Sequence, residues 1–387
     1  MGFRFTSILM VLLCLVGIGS MSAQPPQGGA GQEQRGPNQL PDWATDLAKR
    51  VQIDAYAQAG FTYQHNGNVK DVYGNKEDYN TFDLKRVFLV VAVPITDRWF
   101  AMFMNDFKGG VVHEYWMSYR FTNNKAFSAK MGQFKHAYSI ENGMSPTELE
   151  AIDVCSEGVT YLAGCGSDRL IGTTYGRDLG LELFGETNNG KFAYKVAVMN
   201  GQGVNKTDGN SEKDFIGRLE YRPTPELNIV ASGQIGRGHA VERSSYIGHI
   251  APGQDYKRNR WSAGFQYKGK PFTLRAEYLE GRDDNVTSRG AYATGVVPVA
   301  KHLDFVGSYD FFNYNVKEHI YQHKAIAGLQ YWFYKRCRIQ LQYVYKSAFL
   351  QDNYITPGPG AEPIFTGKSF EKGANHAIMC QLQVRLK

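Results

Sequence analysis

From Arg50 to the carboxyl terminus, apolar and polar side chains alternate with a period of two, and this constrains the fold more than any other feature. Val51, Ile53, Ala55, Ala57, Ala59 and Phe61 alternate with Gln52, Asp54, Tyr56, Gln58 and Thr62. Val111, His113, Tyr115, Met117, Tyr119 and Phe121 alternate with Glu114, Trp116, Ser118 and Arg120. Near the end, Ile378, Cys380, Leu382, Val384 and Leu386 oppose Gln381, Gln383 and Arg385, and further copies lie between these stretches. Such alternation marks a strand with one face in an apolar setting and the other in a polar one.

The connections alternate as well. Very short turns fall at 94–97, 123–125, 188–190, 223–226, 268–271, 300–302 and 335–337. Between them lie longer connections near 65–79, 138–172, 200–213, 237–257, 282–290 and 348–373. Short turns at one end and long loops at the other are the build of transmembrane barrels, whose strands are ~10 residues long, apolar outward and polar inward. The expected fold is an all-β antiparallel transmembrane barrel over 50–387, with about sixteen strands and both termini at the short-turn end. A soluble sandwich or propeller also alternates, but it would carry fewer Lys, Arg, Glu and Gln on its inward face. Aromatic clusters near strand ends, Tyr331-Trp332-Phe333-Tyr334 and Phe311-Phe312, suit membrane interfaces. No internal stretch approaches the roughly eighteen apolar residues of a membrane helix.

The amino terminus reads differently. Arg4, the apolar run Ile8 to Gly19 and Ser20-Met21-Ser22-Ala23 follow the order of a secretory signal peptide, expected over 1–23. Residues 24–49 are rich in Pro, Gln and Gly and are expected to form a flexible periplasmic leader. Export makes a disulfide between Cys155 and Cys165 the expected state, worth ~3 kcal/mol in the chain-entropy model. Cys337 and Cys380 carry outward parity and are expected to stay unpaired. The net charge of +6 is spread along the chain without a compact basic block, which argues against a nucleic-acid partner.

The order FDLKRVFLVVAVPI, MGQFKHAYSIENG, a long connection, YGRDLGLELFGE and MNGQGVNKTDGNSEKDFIGRLEYRP resembles the phosphate-selective porin O and P family. GSYDFF at 307–312 and the terminal QLQVRL fit the same pattern. The resemblance implies a sixteen-stranded porin of the bacterial outer membrane, usually a homotrimer, for passive diffusion of small hydrophilic solutes or anions. It also implies a long third extracellular loop folded into the lumen as a constriction. Two features depart from the family. The chain ends Val384-Arg385-Leu386-Lys387 rather than on an aromatic residue, and in the long connection Glu148, Glu150, Asp153, Glu157 and Asp168 face only Arg169.

Passive transport needs a wet bore, a narrow point and side chains of the right charge. By parity, the lumen-facing bases are Lys85, Arg120, Lys130, Lys195, Arg218, Arg222, Arg275, Lys324, Arg338, Lys346 and Arg385. Asp54, Glu114, Glu182, Glu220 and Glu277 are the inward acids. The excess of bases predicts a modest anion preference, possible phosphate passage included. The family's GQFK and RD positions fall on Lys135 and Arg177-Asp178. Arg177 shares the outward phase of Leu179, Leu181 and Leu183, so it must sit above the lipid, in a trimer interface, or turned inward where loop joins strand. Arg86 beside Lys85 is ambiguous in the same way. The histidines lack metal-ligand spacing, Gly201-Gln202-Gly203 has no following helix, and no catalytic set is expected, so neither cofactor nor metal is expected. A partner-binding barrel with a largely closed pore is the alternative.

Overall fold

The computed structural model describes residues 42–65, 78–152, 155–165, 167–168, 170–355, 362 and 364–386. The expected signal segment and residues 24–41 of the expected leader lie outside the described residues. Asp42–Arg50, which take in the last eight residues of that leader and the first residue of the expected barrel, form a nine-residue helix, α1. Its last turn carries Lys49 and Arg50, which complement the helix dipole, and Arg50 pairs with Asp46 at 3.0 Å, one turn earlier.

Residues 52–387 form a separate unit. Its strands begin with β1 Gln52–His65, β2 Tyr79–Pro94, β3 Trp99–Asp106, β4 Val111–Arg120 and β5 Ser128–Lys135. A two-residue ladder follows, β6 Ser167–Asp168 with β7 Gly172–Thr173. The wall resumes with β8 Arg177–Glu186, β9 Phe192–Met199, β10 Asp214–Tyr221, β11 Leu227–His239, β12 Asp255–Lys268 and β13 Thr273–Asp283. It ends with β14 Val286–Ala300, β15 Leu303–Asn315, β16 Ile320–Tyr334, β17 Cys337–Ile355 and β18 Ile364–Arg385. Each wall strand pairs antiparallel with its neighbour in sequence, β5 with β8 across the excursion, and β1 with β18 closes the ring. The result is a closed sixteen-stranded antiparallel barrel, as the patterning predicts.

Closure leaves no unpaired edge in the ring, so the backbone is satisfied without water. The two faces of the wall then differ as the alternation demands. Along β12, Tyr256, Arg258, Arg260 and Ser262 are buried, while Trp261 between them is exposed. Leu219, Ile235, Leu341, Ile378 and Leu382 are likewise exposed, against buried Gln340, Gln342, Gln381 and Gln383 on the opposite face. Holding that apolar face in water would cost about 25 cal/mol per Å². Lipid removes the penalty, so the architecture is membrane-spanning.

Two expected connections are strand instead. Residues 282–290 belong to a hairpin that turns only at Asp284 and Asn285, with Arg282 paired to Thr287 and Asp283 to Val286. Residues 348–373 lie mostly in β17 and β18, which run for 19 and 22 residues. Beyond the height of the lipid an outward side chain need not be apolar, so the ladder continues where its sequence signal stops.

Candidate functional site

The excursion between β5 and β8, residues 136–176, contains two short helical turns, α2 Ile140–Gly143 and α3 Glu157–Leu162, and the β6–β7 ladder. Its apolar residues are not spaced for a strand or a long helix, and most of them pack in one cluster with side chains of the wall, while Ile152 packs separately with Ile326, Val344 and Met379. Tyr138, Leu149, Val159, Leu162 and Leu170 are buried together with Met199, Ile216, Leu279, Tyr292 and Phe312. Tyr161 meets the rings of Tyr246, Phe312 and Tyr314 at 5.3–5.6 Å, within the range of favourable aromatic pairs.

Hydrogen bonds fix the same segment to the polar face of the strands. Ser139 Oγ donates to Glu277 Oε2 at 2.9 Å, Ile140 N to both oxygens of that carboxylate, and Arg218 donates to Ser139 O at 2.7 Å. Gln340 and Gln342 donate to Glu150 O at 2.8 and 2.6 Å. Lys135 donates to Met144 O, Arg260 to Leu162 O and Arg338 to Leu149 O.

Three acids of the excursion, Glu141, Glu150 and Glu157, are spent on wall cations. Arg275 donates to Glu141 at 3.0 Å and to Glu150 at 2.6 Å, all three largely withdrawn from solvent. Glu157 accepts from Lys324 at 3.4 Å, Lys346 at 3.2 Å and the Tyr314 hydroxyl at 3.0 Å. Burial alone would raise the Glu157 carboxyl, but Lys346 and Lys324 override it and hold the group well below the usual carboxylate range. Glu148 is exposed. Asp153 and Arg169 lie outside the described residues, as does the side chain of Asp168. Glu141 lies in the SIENG stretch, ahead of the acids that the sequence singles out, which begin at Glu148.

Other expected lumen bases are paired within the wall. Lys130 binds Glu182 at 2.9 Å, Arg218 and Arg222 each bind Glu220 at 2.7 Å, and Arg385 binds Asp54 at 2.7 Å. Arg120 and Lys195 line a cavity of about 320 Å³ beside Arg218 and Arg222, near the short turns.

On the other side of the excursion, toward β2–β5, lies a cavity of about 450 Å³. Lys85, Arg86, Lys108, Lys135 and Arg177 line it against two acids, Asp106 and Glu141. Bulges explain how it gathers these residues. The β1–β2 register slips so that Gln58 faces Arg86 and Ala59 faces Leu84, leaving Lys85 as the extra residue and allowing both bases to line one cavity. Arg86 donates to the buried Gln58 at 2.9 Å. A second slip, opposite Met104 and Asn105, makes His113 the extra residue of β4. The sequence phase put His113 outward with Tyr115, yet it is buried, stacked on Tyr175 at 4.6 Å, with neither ring nitrogen hydrogen-bonded. Arg177 takes the third of its three possible places. At the root of β8 it is buried and donates to Glu114 at 3.0 Å and to Tyr175 O at 2.8 Å.

Cys155 and Cys165 line the same cavity as unbonded thiols. A hydrogen bond with Cys165, then burial, pushes the Cys155 thiol up, while Cys165 Sγ lies 3.3 Å from Asn142 Oδ1. Cys337 and Cys380 are also unpaired.

No protein-family model and no curated protein sequence matches the chain. Solved structures do, and they define its class by fold: a sixteen-stranded barrel like those of bacterial outer-membrane porins. An anion-selective porin from Comamonas acidovorans matches with a TM-score of 0.58 and 13% identity, over 87% of this chain and 99% of that one. OprB of Pseudomonas putida matches with a TM-score of 0.59 and 10% identity, over 89% and 96%. The outer-membrane channel DcaP of Acinetobacter baumannii matches with a TM-score of 0.54 and 12% identity, over 86% and 97%. At such identities the likeness is one of fold. It spans porins of several descriptions, so the barrel is placed more coarsely than the phosphate-selective family.

Proposed function

We propose that this protein is a porin of the bacterial outer membrane that lets small hydrophilic solutes diffuse passively and prefers anions. The 136–176 excursion is folded into the bore and narrows it to an off-centre passage along β2–β5. One observation carries the reading: Glu141, Glu150 and Glu157 of the excursion are bound to Arg275, Lys324 and Lys346, while five bases, of which Arg177 is paired with Glu114, line the remaining cavity against Asp106 and Glu141. A water-filled constriction with that balance lowers the barrier for anions. The order of GQFK, the excursion and GRDLG supports kinship with the phosphate-selective porins, and phosphate-like anions and a homotrimer belong to that reading. Purified protein in planar bilayers is expected to give ion-conducting pores whose reversal potential in a KCl gradient indicates anion preference. Absence of conductance overturns the porin, and cation preference overturns the selectivity.

The export signal over 1–23 and the leader after it fit this location. The thiols of Cys155 and Cys165, which line one cavity, are proposed to form a disulfide in the oxidising compartment. Intact mass should be about two hydrogens lower than after reduction, with the two cysteines in one linked peptide pair; free thiols at both positions in purified protein reject it. The dense packing of the excursion on the β9–β15 side favours a second reading, a partner-binding barrel with a closed bore. That reading requires a stoichiometric partner on purification and no conductance.

A further inference from the structure

A second cavity of about 450 Å³ lies among β1, β2, β15–β18 and α3, and its lining has a different chemistry from the basic one. Tyr246 and Tyr314 stack face to face with centroids 4.3 Å apart and planes 8° apart, and the Phe370 ring stands 5.8 Å from each, giving one side of the cavity a rigid aromatic surface. Thr62, Thr81 and Gln322 contribute hydroxyl and amide groups, which both donate and accept. Its charges balance, with Asp83 and Glu157 against Lys85 and Lys346. Lys85 lines both cavities, so the two adjoin at its side chain.

We infer that the passage takes polyhydroxylated organic anions, molecules with a neutral hydroxyl-rich body and one anionic head. This rests on the porin reading above and names the solute class for it. Lys85 at the junction, with Arg86, Lys108, Lys135 and Arg177 beyond it, receives the head. The balanced cavity receives the body, a C–H-rich ring face lying on the aromatic surface while its hydroxyls meet the threonines and amides. An inorganic anion would use the basic cavity alone. A purely apolar body would displace water from the hydroxyl and amide groups of the second cavity without replacing its hydrogen bonds. Its volume falls within the roughly 300–1,000 Å³ of small-molecule sites.

The test is block of the chloride current through single channels of the full-length protein by glucose 6-phosphate, gluconate, glucose and inorganic phosphate. Half-blocking concentrations for at least one of the two organic anions are expected to be tenfold or more below those for both phosphate and glucose. The phosphate and carboxylate arms distinguish which head is preferred. Phosphate as potent as both organic anions shows that the body contributes nothing, and glucose as potent shows that the head contributes nothing; either overturns the inference. In Thr81→Val and in Phe349→Ala, which removes another ring of this cavity, the preferred organic anion should move toward phosphate. No convergence in either variant also overturns it. A barrel without chloride current would overturn the porin itself, whereas a conducting barrel without this discrimination overturns only the solute class.

Discussion

The two sides of the 136–176 excursion carry similar charges in different states. Toward β13–β17, Arg275, Lys324 and Lys346 are bound to Glu141, Glu150 and Glu157, with Arg275, Lys324 and Glu141 buried. Toward β2–β5, Lys85, Arg86, Lys108, Lys135 and Arg177 outnumber the acids around an open cavity. A count of inward bases treats the sides alike, yet Arg275, Lys324 and Lys346 hold three acids of the loop, whereas around the β2–β5 cavity bases outnumber acids. On the proposed reading, selectivity therefore depends on the balance of bases and acids around that cavity.

Removing Arg275 should break the anchored side most severely. Arg275→Ala leaves Glu141 and Glu150 without their shared cation, and breaking a buried pair in this way costs about 3–5 kcal/mol. The expected outcome is a lowered unfolding transition together with larger, noisier single-channel currents as the excursion loosens. Unchanged conductance and melting would mean that the pairing does not hold it.

On the open side, neutralising Lys85 and Arg86 together as Lys85→Gln and Arg86→Gln should lower the chloride-to-potassium permeability ratio severalfold with little effect on melting. The loss should shrink in molar salt, where the Debye length falls to about 3 Å. An equal fall from Lys324→Gln would erase the distinction between the sides.

The smallest effect is expected from acid. Glu157 has a folded-state value depressed below its unfolded value of about 4.3, so its contribution is present above that value and is lost only as pH falls through the folded one. Glu157 should therefore stay charged from pH 7 to pH 4, and channel size should hold over that window. Glu157→Gln, which removes the charge at every pH, should give noisier currents already at pH 7. A wild-type channel that loosened near pH 5, with Glu157→Gln showing no such step, would contradict the assignment.

Much of the barrel was legible because period two and turn length are local signals. The seven short turns expected from sequence all separate consecutive wall strands. Where outward residues leave the lipid, at 282–290 and 348–373, the apolar phase disappears while the ladder continues, so the pattern reads as loop. At the site, Lys85, Lys135 and Arg177 could be singled out, but their orientation could not. Parity fails at a bulge, and one bulge sets Lys85 beside Arg86 while another buries His113. No local pattern announces either slip, since it arises from how two strands distant in sequence come into register.

The sequence by itself determined a closed wall with an apolar outside and a polar inside, because side-chain alternation along a strand is fixed by the backbone and needs no partner. It also determined that a long, acid-rich excursion interrupts the wall between Lys135 and Arg177. Only the tertiary structure decided that those acids meet Arg275, Lys324 and Lys346, more than a hundred residues away, and that Lys85 and Arg86 come to line one cavity with Lys108, Lys135 and Arg177. Coulomb energy depends on distance and burial, and neither exists until the ring has closed.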